Sequence, residues 1–118
     1  MEQHIHSIII IRKGDKFLNY YDENWKIYLF PNMKGNNIEE IKKKYNTENV
    51  KLLFEKVHEK YSLTHLENRT YHHYFYEIDT DINGKYFSLE ELLEHPDIKK
   101  YNGDIIGFID DFYKENYN

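Results

Sequence analysis

The chain has no cysteine among its 118 residues. That excludes disulfides, thiolate catalysis and zinc sites built on cysteine, and it fits a cytoplasmic protein. Proline is scarce, at two residues, and no proline-rich or glycine-rich linker divides the chain. The longest aliphatic run, Ile8–Ile11, is far too short to span a bilayer. The N-terminus has neither the basic region nor the apolar stretch of a signal peptide, so no membrane partner is expected. Basic blocks are equally few. Only Lys42–Lys44 stands out against a net charge of −5, and extended nucleic acid needs a denser positive footprint than that.

What is abundant is aromatic. Twelve Tyr, seven Phe and one Trp bring the aromatic share to 17%, and disordered chains are poor in aromatics. The length fits one folded domain spanning 1–118, able to bury a moderate core.

His4–Arg12, with its isoleucine run, reads as a strand buried on both faces. Lys13-Gly14-Asp15 is a turn, and Lys16–Tyr21 returns antiparallel. Trp25–Phe30 is a third strand, stopped by Pro31. Asn36 and Asn37 are positioned to cap a short helix, Ile38–Tyr45, whose glutamates lie early and lysines late, matching the macrodipole. Asn49–Leu63 is expected to form the main helix. Val50, Leu53, Phe54, Val57 and Tyr61 recur on it at helical spacing, and Glu55 and Glu59 share its opposite face. Thr70–Asp79 reads as a long strand, Asn83-Gly84 as a hairpin-type turn, and Lys85–Phe87 as a short strand. Ser88 opens a capping box with Glu91. That helix ends before Pro96, and a last helix runs over about 104–115. This order predicts an α+β domain with a mixed sheet packed between helices, an α/β/α sandwich.

Three stretches carry a family resemblance: the hairpin IIIIRKGDKFLNYY leading into WKIYLFP, the acidic segment after it, and the ending KYFSLEELLEHPDIKKYNGDIIGFIDDF. In this order they resemble the Nudix superfamily along nearly the whole chain. The resemblance implies a site where clustered glutamates hold magnesium and a water attacks a diphosphate linkage, because Mg²⁺ requires hard oxygen ligands. The family's box is degenerate here. Phe30-Pro31 and Lys34 match it, but Asn32 and Met33 replace both glycines. Glu39 fits the first glutamate, after which the spacing fails. One register of the expected helix then places Glu55 and Glu59 on box glutamates. The other places Val57 and Leu63 on the aliphatic positions and keeps Glu59 alone, with Lys56 and Lys60 beside it. Core packing favours the second. The form WKIYLFPN with its long insertion also resembles Nudix-like domains associated with bacterial second-messenger nucleotidyltransferases in anti-phage systems.

The candidate site therefore comprises Glu55 and Glu59 as catalytic residues and Glu39, Glu55 and Glu59 as metal ligands. Lys34 is a phosphate contact, and Trp25, Tyr28, Tyr74 and Tyr76 a stacking wall for a base. Each has a plainer alternative: a solvated helix face, an exposed loop lysine, core aromatics. His4 and His6 share a strand face, and His72 and His73 lie on another strand, without a carboxylate spaced to complete a metal site. The favoured reading is recognition of a nucleotide derivative or nucleotide second messenger with weak or no hydrolysis. The alternatives are an active Mg²⁺-dependent pyrophosphohydrolase acting on nucleoside diphosphate linkages, and a protein-interaction module that binds a partner or a second copy of itself.

Overall fold

The structure, a computed structural model, describes residues 3–62 and 65–117. The chain gathers into two compact units, Met1–Ile11 with Pro31–Ile82, and Arg12–Phe30 with Asn83–Asn118.

The first unit is a four-stranded mixed sheet and one short helix. β1 (Gln3–Ile10) lies parallel to β7 (Glu67–Ile78), with β5 (Asn32–Lys34) antiparallel on its other side and β6 (Val50–Ser62) antiparallel along the outer side of β7. The isoleucine run is central as its lack of alternation predicts: Ile8, Ile9, Ile10 and Ile11 are all buried, beside Phe75 and Ile78. The helix α1 (Ile38–Tyr45) has the bounds read from the sequence. Asn37 caps it, its side chain accepting from the Glu39 and Glu40 amides, and left-handed Asn46 ends it, returning its N–H to the last turn. Ile41 is its buried anchor.

The second unit is an antiparallel sheet with two helices. β3 (Lys16–Asp22) pairs with β2 (Arg12–Lys13) and β8 (Lys85–Phe87) over its first half and with β4 (Ile27–Leu29) over its second. α2 (Leu89–Glu94) carries the complete Ser88–Glu91 capping box. α3 (Pro96–Tyr117) starts well before the expected position, with Pro96 as its first residue, where a proline loses no helical hydrogen bond. Leu18 and Ile27 from the sheet and Leu92, Ile98, Ile105, Ile106 and Ile109 from the helices supply this unit's buried aliphatics. Asn83-Gly84 does not close a hairpin, because the strands on either side of it belong to different sheets. Gly84 is needed for closeness instead: a Cβ there would stand 2.6 Å from Leu18 Cδ1. The mixed sheet and its helices confirm the α+β class.

One expectation fails outright. Residues 50–62 form the edge strand β6 rather than the main helix, so neither helical register applies; Leu63 lies outside the described residues. The misleading stripe has a physical origin. A β-bulge between Leu52 and Phe54 inserts Leu53 into the ladder, shifting the alternation by one residue, so that Val50 and Val57 share a face although an odd number of residues apart. In the strand, Val50, Val57 and Tyr61 fall on one face and Phe54 on the other. Helix propensity is a weak preference that tertiary pairing overrides. Here β7 pairs with β6 along almost its whole length, and Phe54 stacks on Phe75 with ring centroids 4.2 Å apart.

Candidate functional site

The strand assignment changes the chemistry of Glu55 and Glu59. Four residues apart on a helix, the two carboxylates would stand one turn apart. On a strand, four residues span about 13 Å, too far to share one ion. Glu55 is further engaged by His72 on the neighbouring strand, Oε1 to Nε2 at 2.8 Å, and the His72 ring stacks on Tyr74 at 4.3 Å. Glu39 belongs to the exposed first turn of α1, 3.8 Å from Lys42. Among the described residues no group of three or more His, Asp or Glu side chains is placed to hold a metal ion. The magnesium that the resemblance implies does not fit the expected trio Glu39, Glu55 and Glu59, and no reaction step can be routed through it.

Strand alternation sorts the remaining candidates onto two faces. One face carries Glu55, Val57 and Glu59 from β6, His72, Tyr74 and Tyr76 from β7, and Ile5 and Ser7 from β1. Here Ser7 Oγ donates to the Gly35 carbonyl at 2.7 Å and the Tyr76 hydroxyl to Asn36 Oδ1, fixing the loop that leads into α1. Tyr76 is 4% exposed. Burial, then Tyr74 and Glu55, push its hydroxyl above the usual tyrosine range, against the Asn36 hydrogen bond. It is a core tyrosine with one structural hydrogen bond.

The opposite face is chemically distinct. The register aligns Lys34, His6, His73 and Lys56 in one row across all four strands. The adjacent row holds His4, Tyr71 and His58. His73 stacks on His6, His58 and Tyr71 at centroid distances of 5.9, 5.2 and 5.7 Å. His58 Nε2 and His73 Nδ1 are 3.1 Å apart, so one ring donates and the other accepts. His73 is buried, and burial first, then His58, His6, Lys60 and His72, push its imidazolium down to about 3. His6 is lowered by burial, His4 and Lys34. Lys60 alternates onto the same face. Between Lys56 and Lys60, Arg69 and Phe75, His4 and Ile8, and Asn32 and Lys34, no Asp or Glu occupies this face; Glu67, just beyond it, is bonded to Arg69 at 2.8 Å. The sequence holds a signal for this cluster, since His4 and His6, two residues apart on a strand, share one face. What it lacked was the pairing of β6 with β7, which adds His58 and Lys56. Lys34 also lands here, on the face opposite Tyr74 and Tyr76, so one small ligand does not lie against all three.

Trp25 and Tyr28 belong to the second unit. Trp25 precedes β4 in a turn and packs on Tyr101 at 4.8 Å; Tyr28 packs against Tyr21 and Phe87. That unit has a surface groove of about 750 Å³ lined by Arg12, Lys16, Ser88, Glu91, Asp110 and Lys114, among others. Its charges are largely matched, with Lys16 3.7 Å from Glu91, Lys114 2.8 Å from Asp110, and Arg12 over the Tyr113 ring. Sequence reading missed Asn19, whose side-chain oxygen is buried without a hydrogen-bond partner among the described residues.

No family profile matches the sequence, and no curated protein matches it. Solved structures do. The Ap4A hydrolase of C. elegans aligns over 96% of this chain and 98% of its own, at 12% identity and a TM-score of 0.62. A MutT protein of the Nudix hydrolase family from methicillin-resistant Staphylococcus aureus 252 aligns over 98% of both chains, at 14% identity and 0.62. A Nudix hydrolase from Nitrosomonas europaea aligns over 97% of this chain and 90% of its own, at 11% and 0.60. Identities this low speak for the fold alone.

Proposed function

Starting from the fold of the Nudix hydrolases, which this chain shares, we propose that the protein binds a nucleotide derivative and hydrolyses it weakly or not at all. The observation that carries this reading is the segregation of charge on the first sheet. The glutamates expected to gather a metal are spread along an edge strand. Lysines and stacked imidazoles collect on the opposite face, where no carboxylate interrupts them between the stated positions. Rings offer stacking area to a base, and ammonium groups attract phosphate. The narrower reading, a sensor of a nucleotide second messenger in a bacterial anti-phage system, rests on the sequence resemblance.

The test is differential scanning fluorimetry against nucleotides, dinucleoside polyphosphates and cyclic dinucleotides, paired with an assay of product release in Mg²⁺ and Mn²⁺. A thermal shift with at least one nucleotide and little product is expected. No shift with any compound would remove the binding reading. Metal-dependent turnover on the order of 1 s⁻¹, ordinary for an enzyme, and lost in Glu59→Gln would put the pyrophosphohydrolase first.

A further inference from the structure

The row Lys34–His6–His73–Lys56 has a shape as well as a charge. Its members are direct cross-strand partners, so it crosses the sheet at right angles to the strands. Three inter-strand gaps make it about 14 Å long. An ammonium group sits at each end and imidazoles lie between, with His4, Tyr71 and His58 forming a second row alongside. Lys34 and Lys56 are exposed and His4, His6 and His58 half-buried, while His73 lies beneath as a packed floor. A compact anion such as a single phosphate engages one end of this row. An extended anion with several charges engages all of it.

We propose that this row is a binding site for an oligophosphate chain of three or more phosphates, and that binding is accompanied by proton uptake at His6. The proposal rests on the nucleotide reading for its biological setting, but it assigns recognition to the chain of phosphates and not to the base. Charge complementarity carries it. The protein as a whole is negative, at −5, yet among the described residues of this sheet the groups that the strand register places on and beside this row are Lys34 from β5, His4 and His6 from β1, Tyr71 and His73 from β7, and Lys56, His58 and Lys60 from β6. Arg69 stands at the rim, engaged by Glu67. Two imidazoles of the row are held neutral by burial and by the positive groups around them. An anion laid over the row reverses the sign of that neighbouring charge and favours protonation, so affinity rises as pH falls. His6, the more open of the two, is the first to respond.

The experiment is isothermal titration of the full chain with inorganic tripolyphosphate, with EDTA present to exclude metal chelation. It is run at pH 6.0 and 8.0, and at pH 7.0 in two buffers of different ionisation enthalpy. Tighter binding at pH 6.0 is expected, several-fold and short of the roughly tenfold ceiling that a one-unit rise in one imidazole's pKa sets, with net proton uptake. Lys34→Gln and Lys56→Gln are each expected to weaken binding about fivefold, the size of one partly exposed charge contact. Lys99→Gln, the same loss of charge on an exposed part of α3, is the control. A parallel titration with ATP separates the sources of the chain: equal affinities mean that the phosphates alone are read. ATP binding without tripolyphosphate binding overturns this proposal and leaves the nucleotide reading standing. Absence of binding by both overturns this proposal, and the nucleotide reading falls with it only if the wider nucleotide panel also gives no thermal shift. Affinity independent of pH, or row variants no weaker than Lys99→Gln, also overturns it.

Discussion

His73 sets how this fold responds to acid. Its ring is 8% exposed, and its neighbours hold the imidazolium down to about 3, against 6.5 for an ordinary histidine. The folded state therefore keeps the ring neutral where the unfolded chain has already taken up a proton. A lowered histidine contributes its stability in full above pH 6.5 and loses it progressively as pH falls towards 3. Between pH 7.5 and 5.0 the unfolded state gains about one and a half decades of proton binding that the folded state does not. At 1.36 kcal/mol per decade, that is about 2 kcal/mol, a substantial part of the 5–15 kcal/mol typical of a domain. The assay is urea unfolding followed by circular dichroism at both pH values, for the wild type and His73→Gln. Glutamine presents a polar end towards His58 and cannot take a charge. The variant loses some packing at either pH, so the informative quantity is each protein's own change with pH. The wild type is expected to lose about 2 kcal/mol more than the variant on acidification. His6 shifts in the same direction and steepens the wild-type curve, but it is present in both proteins. If the two lose the same stability within about 0.5 kcal/mol, His73 is not held neutral and the packed imidazole floor is wrongly described.

Three further outcomes follow from the geometry. Ser88→Ala removes the hydroxyl that accepts from the Glu91 amide, leaving only the bond from the residue 88 amide to the Glu91 carboxylate, and is expected to cost about 1 kcal/mol, lowering the melting temperature by about 4 °C. Gly84→Ala drives a methyl into Leu18, a fully buried side chain, and is expected to cost about 1–2 kcal/mol through overpacking; an unchanged melting temperature would show that the contact relaxes freely. Calorimetric titration of the ligand-free protein with MgCl₂ is expected to show no site tighter than the millimolar range, about −4 kcal/mol. A low-micromolar site lost in Glu59→Gln would mean that the carboxylates assemble after all.

Much of the fold was legible because local rules and tertiary context agreed. The isoleucine run, Asn37 capping a helix with glutamates first and lysines last, and the Ser88–Glu91 box each gave an element where it was expected. The site was less legible, for one reason. Residues 50–62 carry apolar residues at the spacing of a helix, yet they form a strand with one bulge. Only the long-range pairing with β7 makes them a strand, and no local window contains that information. Everything downstream of the error changed with it. Glu55 and Glu59 moved from one helical turn apart to opposite ends of a stretched segment. Lys56 and His58 joined histidines that sequence had placed on other strands. Lys34 lies on a different face from Tyr74 and Tyr76.

The outer side of β6 ends the first sheet. Thirteen residues long, with Val57 and Tyr61 about half exposed, it is the kind of edge that recruits another strand. Its charges decide which strand can come. Two copies that joined their β6 edges antiparallel, about a two-fold axis perpendicular to the sheet, would set like faces side by side, because that rotation leaves each face on its own side of the sheet. The face carrying Glu55 and Glu59 would then adjoin glutamates, and the face carrying Lys56 and Lys60 would adjoin lysines. Like charges opposite one another destabilise a ladder, so the chain carries a barrier against fusing with itself that depends on ionic strength. At low salt the barrier is highest. As the Debye length shrinks from about 30 Å at 0.01 M to about 3 Å at 1 M, the repulsion fades and the apolar edge remains, making concentrated salt the condition under which this protein is most prone to assemble edge to edge.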